Sequence, residues 1–320
     1  MQVENVFYLP SGRIFLADLD GYKIEFTEMR DVSVDGKDHE AVRNTMDPRV
    51  IWKHLVPYQD KWLLTVSTEK GCRYNCKFCD VAPLPYRGVL STMEIIDQIQ
   101  AIITNTPYVR SCNKVKIGFA RMGEPANNID NVFEAIRALP MISMVNHLDL
   151  RWLPCFNSIL PKAKPDTIAR VIELKEKDCG GYLHFQISCN STHEGSRQWL
   201  FGGAEVVPLT EIVKEVKKHK ITDRSVTLNF IVMEGIEVDP VVLHKIGVTG
   251  DKFMIKLIPM NKTKNSDDNQ LKTVANYKNY QKLLDLRDEF RAVGIPTVCD
   301  AVANCETAGL CCGQLAQIFG

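Results

Sequence analysis

From about residue 62 onward, short apolar runs rich in β-branched residues alternate with stretches whose apolar positions recur every three to four residues. The runs at 62–66, 115–120, 148–156, 182–188, 226–232 and 253–258 read as strands. The stretches between them read as amphipathic helices. One opens at Ser91 with Glu94 three positions on, a capping box, and continues through Ile95, Ile96, Ile99 and Ile102. Others cover 166–177, 209–219 after Pro208, and 275–293 before Gly294. Six strands, each followed by a helix, imply parallel pairing through right-handed crossovers. Six units fall short of the eight of a closed barrel. The expected fold is therefore α/β, a partial (β/α)6 barrel over 61–320 with a C-terminal tail. Residues 1–60 differ: alternating segments such as 22–26, broken by Gly21 and Gly36, predict a small β-rich extension.

Composition narrows the function less than the pattern does. Of 320 residues, 45% are hydrophobic and 24% charged, with a formal net charge of zero. A protein that grips a long nucleic acid draws most of its affinity from phosphate neutralisation and carries a basic excess. This chain has none, so a nucleic-acid substrate would need a local patch. The start, MQVENVFYLP, lacks a basic segment followed by an apolar core, and no apolar run reaches membrane-spanning length. The expected location is the cytoplasm, with no membrane contact. Eleven cysteines in that reducing compartment point to metal or catalytic sulfur rather than disulfides.

The unusual residues gather after the strands, where parallel α/β folds bind their ligands. After the first strand comes GCRYNCKFCD, with Cys72, Cys76 and Cys79 spaced x3 and x2. Structural zinc wants four ligands, and ordinary iron–sulfur sites a fourth thiolate; no fourth Cys or His stands nearby. Three thiolates suit three irons of a cubane and leave the fourth iron open. The spacing, with Phe78 before the third cysteine, resembles the cluster loop of radical S-adenosylmethionine (SAM) enzymes. In those enzymes SAM chelates the open iron of a [4Fe–4S] cluster and is cleaved by one electron. After the second strand, Met122-Gly123-Glu124-Pro125 forms a turn where such enzymes meet the SAM ammonium. Gly123 allows close backbone approach, and Glu124 supplies a carboxylate.

Several blocks together resemble the RlmN and Cfr group of radical SAM adenine methyl synthases. They are the cysteine loop, RMGEPANNIDNV, ISCNS, KLIPMN and the terminal CCGQL. The resemblance implies that Cys312, in CCGQL, is methylated by one SAM and becomes the methyl carrier. It also implies SAM contacts from Ser188 and Asn261, the latter at the ribose, and an electron donor such as flavodoxin or ferredoxin. The expected reaction is methylation of an sp2 carbon, which is too weakly nucleophilic for direct transfer from a sulfonium. The substrate is a nucleobase-containing RNA, a nucleotide or another heteroaromatic. Gly309 and Gly313 flank Cys312 and would let the tail swing between two steps.

Two departures from the group stand out. Its second cysteine, seven residues before the first cluster cysteine, resolves the enzyme–substrate thioether; here that position is Thr65. Replacement thiols are Cys299, Cys305 and Cys311 in the tail and Cys155 and Cys189 at strand ends. The group's helical RNA-binding front domain is expected to be absent or replaced by the shorter β-rich segment, and where the group carries arginines before its terminal motif this chain reads CDAVANCETAG. An alternative is a radical SAM enzyme of another reaction type with an auxiliary cluster on Cys299, Cys305, Cys311 and Cys312. A non-catalytic iron–sulfur or RNA-binding module would have no need of Glu124, Ser188 and Asn261. Lys214, Lys217, Lys218 and Lys220 read as a solvated helix end. Arg197 and Trp199, in STHEGSRQWLFGG, read as a surface loop.

Overall fold

The structure is a computed structural model and describes residues 1–31, 54–276, 279–300 and 311–319. Three antiparallel strands open it: β1 (Gln2–Leu9), β2 (Gly12–Leu19) and β3 (Tyr22–Arg30). The β2–β3 turn is Asp20-Gly21, both with positive φ, and Asp18 accepts from the Gly21 N–H at 2.9 Å. That pair matches the twist of a two-residue hairpin. The chain then runs through β4 (Trp62–Thr65), the two-residue strands β5 (Glu69–Lys70) and β6 (Gly88–Val89), and α1 (Thr92–Asn105). Next come β7 (Ser111–Gly118), α2 (Ile129–Val145), β8 (Asp149–Ser158), α3 (Thr167–Lys177) and β9 (His184–Ser188). They are followed by α4 (Glu194–Leu200), α5 (Leu209–Lys217), β10 (Val226–Val232), α6 (Pro240–Lys245) and β11 (Phe253–Pro259). Last are α7 (Lys264–Asp268), α8 (Gln281–Ala292), β12 (Thr297–Cys299) and α9 (Gln314–Phe319).

Ten strands form one sheet in the order β1-β2-β3-β4-β7-β8-β9-β10-β11-β12. From β4 onward the pairing is parallel, and β3 joins β4 antiparallel with Thr27 opposite Thr65. All six predicted strands are present. The opening strands extend the same sheet, and β12 adds a strand the pattern did not predict. The Ser91–Glu94 capping box is formed. The helix expected over 275–293 is shorter, Gln281–Ala292. Before it, Thr273 pairs with Met233 in a bridge, and its hydroxyl bonds the Ala275 backbone, so local side-chain bonding displaces the helix.

Side chains along the strands alternate between a helix-covered face and a bare one. Val115, Ile117, Phe185, Ile187, Leu228, Phe230, Ile255 and Leu257 are fully buried in the core. The other set, including Lys116, His184, Ser188, Asn229 and Lys256, occupies the opposite face. On a flat sheet β8 and β10, with β9 between them, would stand about 10 Å apart. Yet the Asn229 side-chain amide reaches the Asn157 oxygen at 3.3 Å, so the bare face is curled inward.

Candidate active site at the carboxyl ends of the parallel strands

The loop after β4 is shaped by many backbone bonds. The β5–β6 pair closes it at its base. The Asn265 side chain donates to the Cys76 and Cys79 carbonyls at 2.8 and 3.1 Å, and the Thr263 hydroxyl to the Phe78 carbonyl at 3.1 Å. Lys77 N–H reaches the Leu200 carbonyl at the end of α4. Asp80, buried behind the loop, accepts from the Lys264 and Asn265 N–H groups at 3.1 and 2.8 Å. The three thiols thus sit on a backbone held by α4 and α7.

Cys72, Cys76, Phe78, Cys79, Gly123, Glu124, Ser188 and Cys312 line a single cavity, with Tyr74, Arg121, Asn157 and Ile159. Asn261 follows β11, half-buried, and is not among the lining residues. Wider clefts of about 270 and 400 Å³ lie against α2 and α3 and gather no comparable set of donors.

Burial, and then the neighbouring thiols, hold Cys76 well above the ordinary thiol range. Burial, and then Cys312, push Cys79 up to about 12. Buried thiols that repel one another in this way are suited to a shared cationic group, which favours their thiolate forms. Among the described residues no group of three His, Cys, Asp or Glu converges as on a single ion. A cubane asks for a different arrangement, one thiolate at each of three corners. The donor set therefore fits a [4Fe–4S] cluster.

Gly123 has φ +98°, and a Cβ there would lie 2.6 Å from the Glu69 Cβ. Next to it, the Glu124 carboxylate is buried and accepts from the Ala126 and Ile159 N–H groups, each at 3.1 Å, and from the Ser158 hydroxyl. Burial outweighs these bonds and raises it to about 7. Glu69, which the sequence pattern did not single out, accepts from Glu124 N–H at 2.7 Å and from the Asn127 amide at 3.2 Å. Burial raises this carboxyl too. Across the cavity the Ser188 hydroxyl donates to the Asn157 side-chain oxygen at 3.2 Å. Phe78 packs edge-on against Phe201, with centroids 6.3 Å apart.

The tail reaches this cavity through two buried carboxylates. Glu25 of β3 accepts from the Gly313 and Ala316 N–H groups at 3.1 and 2.9 Å, capping the start of α9. Asp80 accepts from the Gln314 amide at 2.8 Å, joining residues 234 apart in sequence. Arg121, paired with Glu25, donates to Cys312 Sγ at 3.5 Å and to the Cys311 carbonyl at 3.3 Å. Gly313 serves a different purpose from the hinge expected of it. Its φ is +86°, and a Cβ would lie 2.7 Å from Val81 N and 2.8 Å from Asp80 C, both backbone atoms. It is a point of close packing. Gly313→Ala is expected to lift the tail at a cost of about 1–3 kcal/mol, read as faster amide exchange over 311–319; unchanged protection would refute the packing role.

Glu25, Asp80 and Arg121 escaped the sequence reading because their partners are distant in sequence. Arg197 needs correction: it is fully buried and donates to the Cys189 and Val207 carbonyls and to Glu194. Trp199 is 45% exposed, as a surface position should be. Thr65 shares a hydroxyl bond with Thr27 across β3 and β4. Among the candidate thiols, Cys189 lies in the hydrophobic core, Cys155 is buried on the bare face, and Cys299 is buried with its thiol on the Leu283 carbonyl. Cys305 and Gly309 lie outside the described residues.

No family model matches the chain. Curated relatives do. A probable dual-specificity RNA methyltransferase RlmN from Aquifex aeolicus is 26% identical over 222 residues, 68% of this chain and 61% of the relative. The dual-specificity RNA methyltransferase RlmN of Campylobacter hominis is 28% identical over 238 residues, 72% and 62% respectively. The chain is similar to these RlmN methyltransferases over about 70% of its length. It spans about three-fifths of the length of these relatives. In fold it is similar to a radical SAM methyltransferase from Sphaerobacter thermophilus, with TM-score 0.64 and 16% identity over 95% of this chain and 77% of the other. That likeness and the mostly parallel sheet make the chain an α/β protein. Among the described residues no helix is long and apolar enough to cross a membrane.

Proposed function

We propose that this chain is a radical SAM methyl synthase that methylates an sp2 carbon of a nucleobase through Cys312. The observation that carries the reading is one cavity lined by Cys72, Cys76, Cys79, Glu124, Ser188 and Cys312. On this reading β4 and β7–β11 with their helices are the partial (β/α)6 barrel, residues 1–60 its extension and 61–320 its body and tail. The names of the relatives favour a base within RNA as substrate, and flavodoxin or ferredoxin supplies the electron. The buried thiols favour a reducing compartment, the cytoplasm.

When bound, the cluster and SAM supply a transferable methyl group and, after one-electron reduction, a radical that abstracts hydrogen. The chain's own residues hold and orient. Cys72, Cys76 and Cys79 would each hold one iron of the cluster, which would leave one iron for SAM. Glu124, with its N–H bonds already made, keeps lone pairs for an ammonium. Ser188 and Asn157 offer hydrogen bonds from the opposite wall, and Asn261 is proposed for the ribose. Arg121 holds the Cys312 sulfur at the cavity wall.

Glu124→Gln is expected to weaken SAM binding roughly 10- to 100-fold, the loss of one charge-assisted bond, with iron content unchanged. Calorimetry showing wild-type affinity would remove Glu124 from the site. The reaction is tested by incubating reconstituted protein with SAM, reductant and total RNA, then weighing the nucleosides. A nucleoside heavier by one methyl is expected. No gain in RNA or in free nucleotides, with 5′-deoxyadenosine still forming, would overturn the substrate class.

A further inference from the structure

Deeper on the same curled face lies a group of cations that the proposed reaction does not use. Lys114 and Lys116 alternate along β7 with the core residues Val115 and Ile117. Lys256 projects from the bare face of β11, and Arg224 stands just before β10. The charges of all four act on His184, which is bonded to the Thr227 hydroxyl at 2.9 Å. Burial, and then the charges of Lys116, Lys256, Arg224 and Lys114, push this imidazole down to about 2, so it adds no charge of its own.

Among the described residues the acids that act on these cations are Asp31, toward Lys114, and Asp300, toward Lys256. Lys256 pairs with Asp300 at 2.6 Å. Among the described residues, Lys114, Lys116 and Arg224 have no side-chain hydrogen bond or ion pair. The Arg224 Nε–H is buried without an acceptor, and its guanidinium stacks over Tyr182, 5.2 Å from the ring centroid. A buried donor left unpaired costs about 1–3 kcal/mol, and cations crowded on an inward face repel. Lys114 shows that repulsion: burial, then Lys61, Arg224 and Lys116, lower its pKa against a smaller opposing pull from Asp31. A bound anion would offset both costs.

We propose that this inner face binds phosphate, through Lys114, Lys116 and the Arg224 guanidinium. Two lysine point charges beside a planar fork suit a tetrahedral oxyanion. His184 lies four residues before Ser188 on β9, roughly 13 Å along the strand, so the cations that act on it sit about that far below the cavity wall. That is of the order of a nucleotide's length. What the phosphate is attached to rests on the nucleobase reading above; the anion site rests on the cations alone.

The test is titration of the whole chain with inorganic phosphate at constant ionic strength, chloride being the reference salt, followed by calorimetry and by Tm. Saturable binding and a rise in Tm are expected. Lys116→Gln should weaken phosphate binding about tenfold or more while raising the Tm of the phosphate-free protein, because repulsion is relieved. Lys114→Gln should do the same and serves if the first variant folds poorly. Phosphate binding unchanged in both variants, or no saturable binding in the wild type, overturns the proposal. AMP binding more tightly than both adenosine and phosphate identifies a nucleotide as the source. A short RNA displacing phosphate where AMP does not identifies the RNA backbone. Phosphate binding with no preference for any nucleobase ligand supports the anion site and counts against the nucleobase reading.

Discussion

Replacing Cys72, Cys76 or Cys79 with Ala is expected to strip the chain of its iron and to abolish SAM cleavage. Anaerobically purified wild type should carry about four irons per chain. The three thiols repel one another across a buried cavity, so the cluster's positive charge offsets a cost the empty loop must carry. Two thiolates leave two corners of the cubane without protein ligands, and a partial loss is not expected. Iron and sulfide content, the visible charge-transfer band and 5′-deoxyadenosine formation read the outcome. Cys112→Ala and Cys179→Ala, neither of them among the cavity's lining residues, should keep all three. A triple variant that still cleaves SAM would overturn the cluster assignment.

The cluster loop was legible because its chemistry is written in one stretch of ten residues. The same holds for the six parallel strands, whose apolar runs are continuous, and for the Ser91–Glu94 cap, whose partners are three residues apart. What escaped the sequence depends on pairing at a distance. Nothing local in β3 says that it continues the sheet beside β4, since edge registers are set by partners. No local motif marks Glu25 or Asp80, because the backbone and amide donors they hold come from the tail. Arg197 lay in a polar, glycine-containing stretch, yet three acceptors bury it completely. Gly313 was expected to give freedom, whereas its missing side chain allows contact with the cluster loop. The resolving-thiol position is instructive in the same way. Thr65 makes a cross-strand hydroxyl pair with Thr27, an interaction that stabilises sheets, so the position now serves β3–β4 pairing.

Cys312→Ala is expected to keep the cluster and to lose methylation of both protein and substrate. SAM bearing a deuterated methyl group should first label Cys312 itself, visible by mass spectrometry of the tail peptide. The label should then pass to the substrate as a methylene, with its remaining hydrogen from another source. The expectation rests on position: Cys312 lines the cavity, lies close enough to raise Cys79, and is held by Arg121. Its neighbour Cys311 is buried, with its backbone N–H on Gln314 at 2.7 Å, and cannot substitute without undoing the docked tail. Turnover in the wild type should stall as a protein–substrate adduct unless a thiol other than residue 65 resolves it. Thr65→Cys should then speed product release, at a stability cost of about 0.2–1 kcal/mol from the lost Thr27 pair. Substrate labelling that persists without Cys312 would exclude the carrier and place the chain in a different radical SAM chemistry.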